Sequence, residues 1–581
     1  MSHFVYDVVV IGGGPGGSTC GSFLKLHDPN LKVGIFERDI FPREHVGESQ
    51  LPIISSVLNE IGVWDKIEAA GFPVKIGATY RWGSTDDLWD FNFLPHGEFQ
   101  DEPRPAKYEG QRRETAFQVD RAVYDKILLD HARELGCEVQ EDCAVREVKK
   151  EGDRIDGLVL ANGDTVEAKT YIDGSGHSGF LRRAMGVPIE EPSKLKNIAI
   201  YDYWQNTEWA VSLGVGGTRV QVMSVGYGWL WFIPISETRT SIGLVCPAEY
   251  YKKSGLRPEE LYLKAIADDP RISSLLAEAT REEILQTTKD WSFVAERLTG
   301  ENWILVGEAA GFADPILAAG LTLTHVSAKE AALTILEMNR GTDKQWLFEA
   351  YSERNRRKIY QHIRFADYWY TANTHFDELK EYTREIAKDA GLDLDANAAF
   401  RWLGTGGFVE DDMEVGGIAG FRIDSLHQLA SKFTKTASDS VIHGFSGFPL
   451  ALEGATRIKV PVYQNGGVIA VKAYRRGSKT LPMAGLFGVL TEALLMSPRL
   501  DVAVTNIARK IAQKGVQYDS HFHGQLIQTL EAMARDGWVR CIEIPGANPI
   551  SAKFDEENAY VETNHDEERF ADRVAASLRS S

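Results

Sequence analysis

Near the start of the chain, Gly12-Gly13-Gly14-Pro15-Gly16-Gly17 is followed by Glu37, about 20 residues on. These are the first groups whose types and spacing fit a common chemistry. Gly12 allows a tight turn, Gly14 lets backbone approach a pyrophosphate, and Gly17 lets a helix pack closely on a strand. Pro15, which has no N–H of its own, opens that helix, and Gly16 sits among the first N–H groups that would face an anion. A carboxylate at Glu37 is placed to accept the ribose hydroxyls of an adenosine. Together these groups bind a dinucleotide, and such glycines serve NAD and FAD alike.

A strand, a turn and a helix must hold these groups. Residues 6–11 form a nearly continuous apolar, β-branched run, as a strand buried on both faces requires. The pattern predicts a helix from Ser18 to Leu26 and a second strand at 31–36 that delivers Glu37. Trp303-Ile304-Leu305-Val306 reads as another short buried strand. It leads through Gly307-Glu308-Ala309-Ala310-Gly311-Phe312-Ala313-Asp314-Pro315 into small residues that open a helix. Between them, Phe117-Gln118-Val119-Asp120-Arg121 precedes an amphipathic helix, and Tyr171-Ile172-Asp173-Gly174-Ser175-Gly176 ends a strand. The glycines at 416–420 have no strand before them, so a second nucleotide domain is not expected.

This ensemble resembles the superfamily of FAD-dependent aromatic hydroxylases, halogenases and geranylgeranyl reductases, and within it the flavin-dependent halogenases of the tryptophan and phenolic type. The resemblance implies FAD, with an acid at Glu308 on the ribityl chain, although the family usually has Asp there. It places Gly307, Asp314, Gln118, Arg121, Asp173, Arg38, Arg43 and Glu48 near the cofactor. Related single-component hydroxylases bind NAD(P)H transiently through a DGxxSxxR motif. Here His177 stands where the Ser is expected, so a separate flavin reductase is implied.

Three segments carry the halogenase resemblance. Residues 72–83 are similar to the segment bearing the essential lysine, here Lys75. In that family reduced flavin, dioxygen and halide yield hypohalous acid, which an amine relays to the substrate; a desolvated lysine loses its charge readily. Residues 228–234 fit WxWxIP. On a strand Trp229 and Trp231 share one face and could form a tunnel wall between flavin and substrate. Pro315-Ile316-Leu317-Ala318-Ala319-Gly320 stands where halogenases bind chloride or bromide on backbone N–H groups, which Ala319 and Gly320 can supply at a helix start. Tryptophan halogenases have Glu where this chain has Leu317, which turns the expectation from free indole toward a phenol-like or carrier-bound aromatic.

The expected fold is α/β: a Rossmann-like FAD-binding domain (1–75, 108–184, 291–340), an inserted antiparallel substrate sheet (76–107, 185–290) and a mostly helical region (341–581), winged-helix-like at 483–545. The tail from Phe554 is acidic and expected to be mobile up to a short helix at 567–578. With 64 Lys+Arg against 83 Asp+Glu, a net charge of −19 argues against nucleic acid as a partner. Five scattered cysteines without CxxC spacing point to a reduced, cytoplasmic, metal-free protein. No apolar run long enough to cross a membrane, and no signal peptide, is expected. Two other readings stay open. One is a monooxygenase or dehydrogenase in which flavin meets substrate directly. The other is a flavin-bound interaction protein whose chemistry is vestigial, given Glu308 and Leu317.

Overall fold

Val8, Val9 and Val10 are fully buried at the centre of the first strand, because helices cover both faces of a parallel sheet. The computed structural model describes residues 3–84, 87–94, 99, 102–389, 440–464, 466–477, 479–513, 518–551 and 561–564. The 416–420 glycines and the helix expected at 567–578 lie outside the described residues.

In chain order the elements that matter begin with β1 (His3–Ile11), α1 (Pro15–His27), β2 (Val33–Phe36), β3 (Val74–Arg81), β4 (Leu88–Asn92), β5 (Ala116–Phe117) and α2 (Arg121–Glu134). There follow β6 (Glu138–Gln140), β7 (Val145–Glu151), β8 (Arg154–Leu160), β9 (Thr165–Asp173), β10 (Lys196–Gln205), β11 (Gly217–Val225) and β12 (Gly228–Pro234). Then come β13 (Arg239–Pro247), β14 (Gln286–Trp291), β15 (Trp303–Leu305), α3 (Ala319–Asn339) and α4 (Lys344–Thr371).

One sheet has the order β6-β2-β1-β9-β8-β7, with β15 also on β9; its core pairs β6–β2, β2–β1, β1–β9 and β9–β15 are parallel. The large second sheet runs β14-β10-β13-β12-β11-β3-β4 and is antiparallel except where β11 meets β3. This is the Rossmann-like domain with an inserted antiparallel sheet. His325 on α3 ties the nucleotide layer together: it bridges Thr19 Oγ1 of α1 and Tyr124 Oη of α2, each at 2.8 Å. Burial pulls this imidazole down to about 3. It is therefore neutral, with one donor and one acceptor for its two partners.

The chain divides into two compact units, residues 1–391 with 560–581, and residues 392–559. The second contains β16 (Thr456–Gln464), β17 (Gly467–Arg476), β18 (Lys479–Pro482), α5 (Gly485–Met496), α6 (Leu500–Ala512) and α7 (Ser520–Arg535). Leu481, Leu490, Ile507, Leu526, Leu530 and Trp538 form its core. The three-stranded sheet precedes the helices, and Val539 makes only an isolated bridge to Leu450. This corrects the winged-helix expectation, because the wing would have to follow the helices. A second correction concerns the acidic tail. Val561–Asn564 is not mobile but forms β19, an edge strand antiparallel to β4 in the first unit.

Candidate active site

The glycine run is shaped by close backbone approach. Gly12 has φ +97°, and a Cβ there would stand 2.5 Å from the Gly174 carbonyl oxygen; one on Gly17 would stand 1.9 Å from that of Gly12. Only glycine fits either place. Gly14 is the N-cap of α1, and no side chain caps that helix, so its first N–H groups are free to meet an anion. Arg43 lies over this turn: a Cβ on Gly14 would be 3.3 Å from its Nη2, while Asp125 steadies its Nη1 at 3.3 Å. Glu37 is buried at the end of β2 and accepts from Gly13 N at 2.6 Å and Asp39 N at 2.9 Å. Arg38 stays at the surface, paired with Asp39.

Residues 48–50 pair with 117–119 through Gln50 N to Phe117 O and Val119 N to Glu48 O, at 3.1 and 2.8 Å. β5 in turn pairs with β3, Lys75 opposite Ala116. This gathers Glu48, Gln118 and Lys75. The amide of Gln118 is fully buried, and neither its oxygen nor its nitrogen has a hydrogen-bond partner among the described residues. Natural proteins seldom leave both ends of a buried amide unsatisfied. A polar group such as the edge of a flavin ring would satisfy it. With the glycine cradle and Arg43, these residues fit FAD.

Lys75 sits at a β-bulge. Along the β11–β3 pairing, Thr218 faces Lys75 but Arg219 faces Gly77, so Ile76 is an extra residue. A bulge re-aims side chains out of strict alternation. The Lys75 ammonium donates to Gln50 O at 3.0 Å and lies 5.4 Å from the centre of the Phe93 ring. It is 4% exposed and has no carboxylate partner among the described residues. Burial alone pulls its amine down to about 7.

Arg121 clamps Asp125 with two bonds of 2.7 and 2.9 Å and donates to Val46 O and Gly47 O, which aims the neighbouring Glu48. The Glu48 carboxylate accepts from Tyr203 Oη at 3.0 Å; burial holds it above the usual range while Tyr203 and Arg121 pull the other way. Asp173 organises its own loop, accepting from Ser175 N and Oγ and from Leu181 N and Arg182 N. Glu308 follows β15 in a short turn. Desolvation raises its carboxyl, and the charge and backbone of His177 oppose that rise. The two departures from the family pattern, Glu308 and His177, are therefore neighbours.

Asp314 Oδ1 accepts from Ile316 N at 2.9 Å, capping a 3-10 turn at Pro315–Leu317. Ala318 then adopts a left-handed conformation, φ 52°, and α3 begins at Ala319 with no side chain capping it. Gly320 needs no special φ. A Cβ there would meet only Phe312, at 4.0 Å. Packing does not require a glycine at this point. Trp229 and Trp231 are buried with ring centres 6.1 Å apart. Gly243 on β13 makes room for Trp231, whose ring a Cβ would approach to 2.2 Å.

The sequence reading missed Gln50, Tyr203, Asn197, Gly243 and Tyr370, none of which carries a local signal. Among the described residues no cluster of His, Cys, Asp or Glu could hold a metal ion, and no helix is long and apolar enough to cross a membrane.

The tryptophan halogenase family model matches residues 7–104 and 98–392. A 1H-pyrrole-2-carbonyl-[peptidyl-carrier protein] chlorinase of Pseudomonas fluorescens is 33% identical over 392 residues, covering 65% of this chain and 86% of that one. The myxobacterial chondrochloren halogenase CndH is 30% identical with a TM-score of 0.57, covering 67% of this chain and 91% of that one. CmlS, a flavin-dependent halogenase, shares the fold over 96% of this chain and 99% of its own, with 24% identity and a TM-score of 0.68. The family match takes in the glycine cradle, the bulge at Lys75, the paired tryptophans and the turn before α3. This chain belongs to the tryptophan halogenase family and is a flavin-dependent halogenase, an FAD-dependent oxidoreductase that uses halide.

Proposed function

We propose that this enzyme halogenates an electron-rich aromatic ring, phenol-like or tethered to a carrier protein, using FAD reduced by a separate flavin reductase. The observation that carries this reading is Lys75, the one buried lysine among the described residues, drawn down to about 7 beside the flavin cradle. Bound reduced FAD, with dioxygen, supplies the oxidising power that converts chloride or bromide to hypohalous acid. Backbone N–H groups at Ala319 and Gly320 hold the halide at the start of α3. Lys75 Nζ, whose proton burial loosens, takes the halogen from hypohalous acid with release of water and passes it to the ring carbon, whose displaced proton returns to the amine. Trp229 and Trp231 keep water and substrate from the flavin side. Leu317, buried and apolar, gives a free indole no carboxylate. The carrier-bound form draws support from the similarity to the pyrrolyl-carrier chlorinase.

Mass spectrometry of free and carrier-tethered phenols, pyrroles and indoles, incubated with FAD, a reductase and bromide, tests this. We expect brominated product from the phenol or tethered substrates and none without bromide. Oxygenated product formed without halide would favour the monooxygenase reading. With His177 where the nicotinamide motif has Ser, NADPH alone should leave the flavin oxidised. Rapid bleaching in a stopped-flow trace without reductase would count against a two-component system.

A further inference from the structure

Tyr370, one residue from the end of α4, is 2% exposed and its hydroxyl is fully used. It accepts from Trp229 Nε1 at 2.8 Å and from Asn197 Nδ2 at 3.2 Å, and it donates to Asp314 Oδ1 at 3.3 Å. A phenol has one proton to give and two lone pairs to offer, and all three are engaged. Asn197 also donates to Asp314 Oδ2 at 3.3 Å. The Asp314 carboxylate caps the turn that launches α3. One hydroxyl thus joins the tryptophan wall, the substrate sheet and the turn before Gly320. Simple packing would be served by phenylalanine, since the ring already stacks on Phe376 and meets the edge of Trp82.

We propose that Tyr370 is a positioning residue that fixes the halide turn to the tryptophan wall, so that hypohalous acid forms at a set place relative to Lys75. The inference rests on the assignment of halide to Ala319 and Gly320. Two coupled effects follow from loosening the hydroxyl. The turn capped by Asp314 loses a donor, which weakens halide binding. Trp229 loses its anchor, which lets hypohalous acid escape.

The test compares Tyr370→Phe, Asp314→Asn and Gly320→Val with the parent enzyme, each loaded with FAD. For Tyr370→Phe we expect the bromide KM to rise about five- to ten-fold, the loss of about one ordinary hydrogen bond. Halogenated product per dioxygen consumed should fall while flavin oxidation stays near the parent value, and the melting temperature should drop modestly because the buried Trp229 N–H is left without its acceptor. Bromide occupancy at the start of α3, read from anomalous scattering in soaked crystals, should fall in parallel. Asp314→Asn should move bromide KM the same way. An unchanged bromide KM and occupancy in Tyr370→Phe, with halide use lost in Gly320→Val, overturns the role of Tyr370 alone. Unchanged halide use in all three variants overturns the halide assignment, and the inference with it. Loss of fold or of FAD in Tyr370→Phe, with bromide KM unmoved in Asp314→Asn, makes Tyr370 a packing residue only.

Discussion

Replacing Lys75 with methionine should abolish halogenated product while making the protein more stable at neutral pH. Methionine fills a similar volume without a charge to desolvate. In the native state the amine is held near 7 rather than its ordinary value of 10.5. Between those values the unfolded chain binds the extra proton, so the stability this lysine contributes rises with pH from about 7 to about 10.5. At and below pH 7 its cost is greatest, on the order of a few kcal/mol. The methionine variant should therefore unfold at higher temperature than the parent at pH 6–7, and its advantage should fade toward pH 10. FAD affinity and oxidation of reduced flavin should be retained, since Lys75 has no part in the glycine cradle. Lys75→Arg should fail almost as badly, because a guanidinium stays protonated and cannot serve as a free amine. In the parent, product formation should climb through pH 7 as the amine loses its proton. Parent-level halogenation in Lys75→Met, with FAD occupancy confirmed, would end the relay proposal.

The second large effect is expected at Gly320. Valine there should lower halogenation on the order of a hundred-fold or more by covering the backbone that would hold the anion. Stability should hardly change. The position has an ordinary helical backbone, a Cβ would meet only Phe312 at 4.0 Å, and valine is no worse in a helix than glycine. Ala318→Ser is the matched control. It lies two residues earlier, where the chain turns left-handed, and should keep activity. Steady-state rates against bromide concentration separate the two variants, and equal activity in both would show that the halide binds elsewhere.

Much of this site could be read from the sequence because its parts are local. The glycine run with the start of α1, the acid at the end of β2 and the strand-to-helix connector from Trp303 to Gly320 are each marked by a short run of sequence, although the contact that requires glycine at 12 comes from Gly174. What the sequence hid is non-local. The bulge at Ile76 leaves only a weak mark in the sequence, Gly77 inside a strand-like run; the register with β11 is what reveals the extra residue. Tyr370 stands 141 residues from Trp229 and 56 from Asp314, so nothing near it in the sequence marks it. The sheet before α5 is a different case. Asn465-Gly466 between two strand-like runs was a usable hairpin signal. The run before it alternates apolar and polar residues at Ile458, Val460 and Val462, as a strand should, so this sheet was legible in the sequence. Val561–Asn564 is too short and too polar to declare itself, and its pairing with β4 defines it.

That pairing sets a timetable for synthesis. Asn564 donates to Asp90 across 474 residues of chain, the whole second unit intervening. A ribosome adding about 5–20 residues per second needs roughly 25–95 s to travel from one strand to the other. Through that interval the outer edge of Leu88–Asn92 offers unpaired N–H and C=O groups, a template on which another nascent chain could add. The last strand described in the chain is thus the one that retires this hazard, and yield in expression should depend on it more than its four residues suggest.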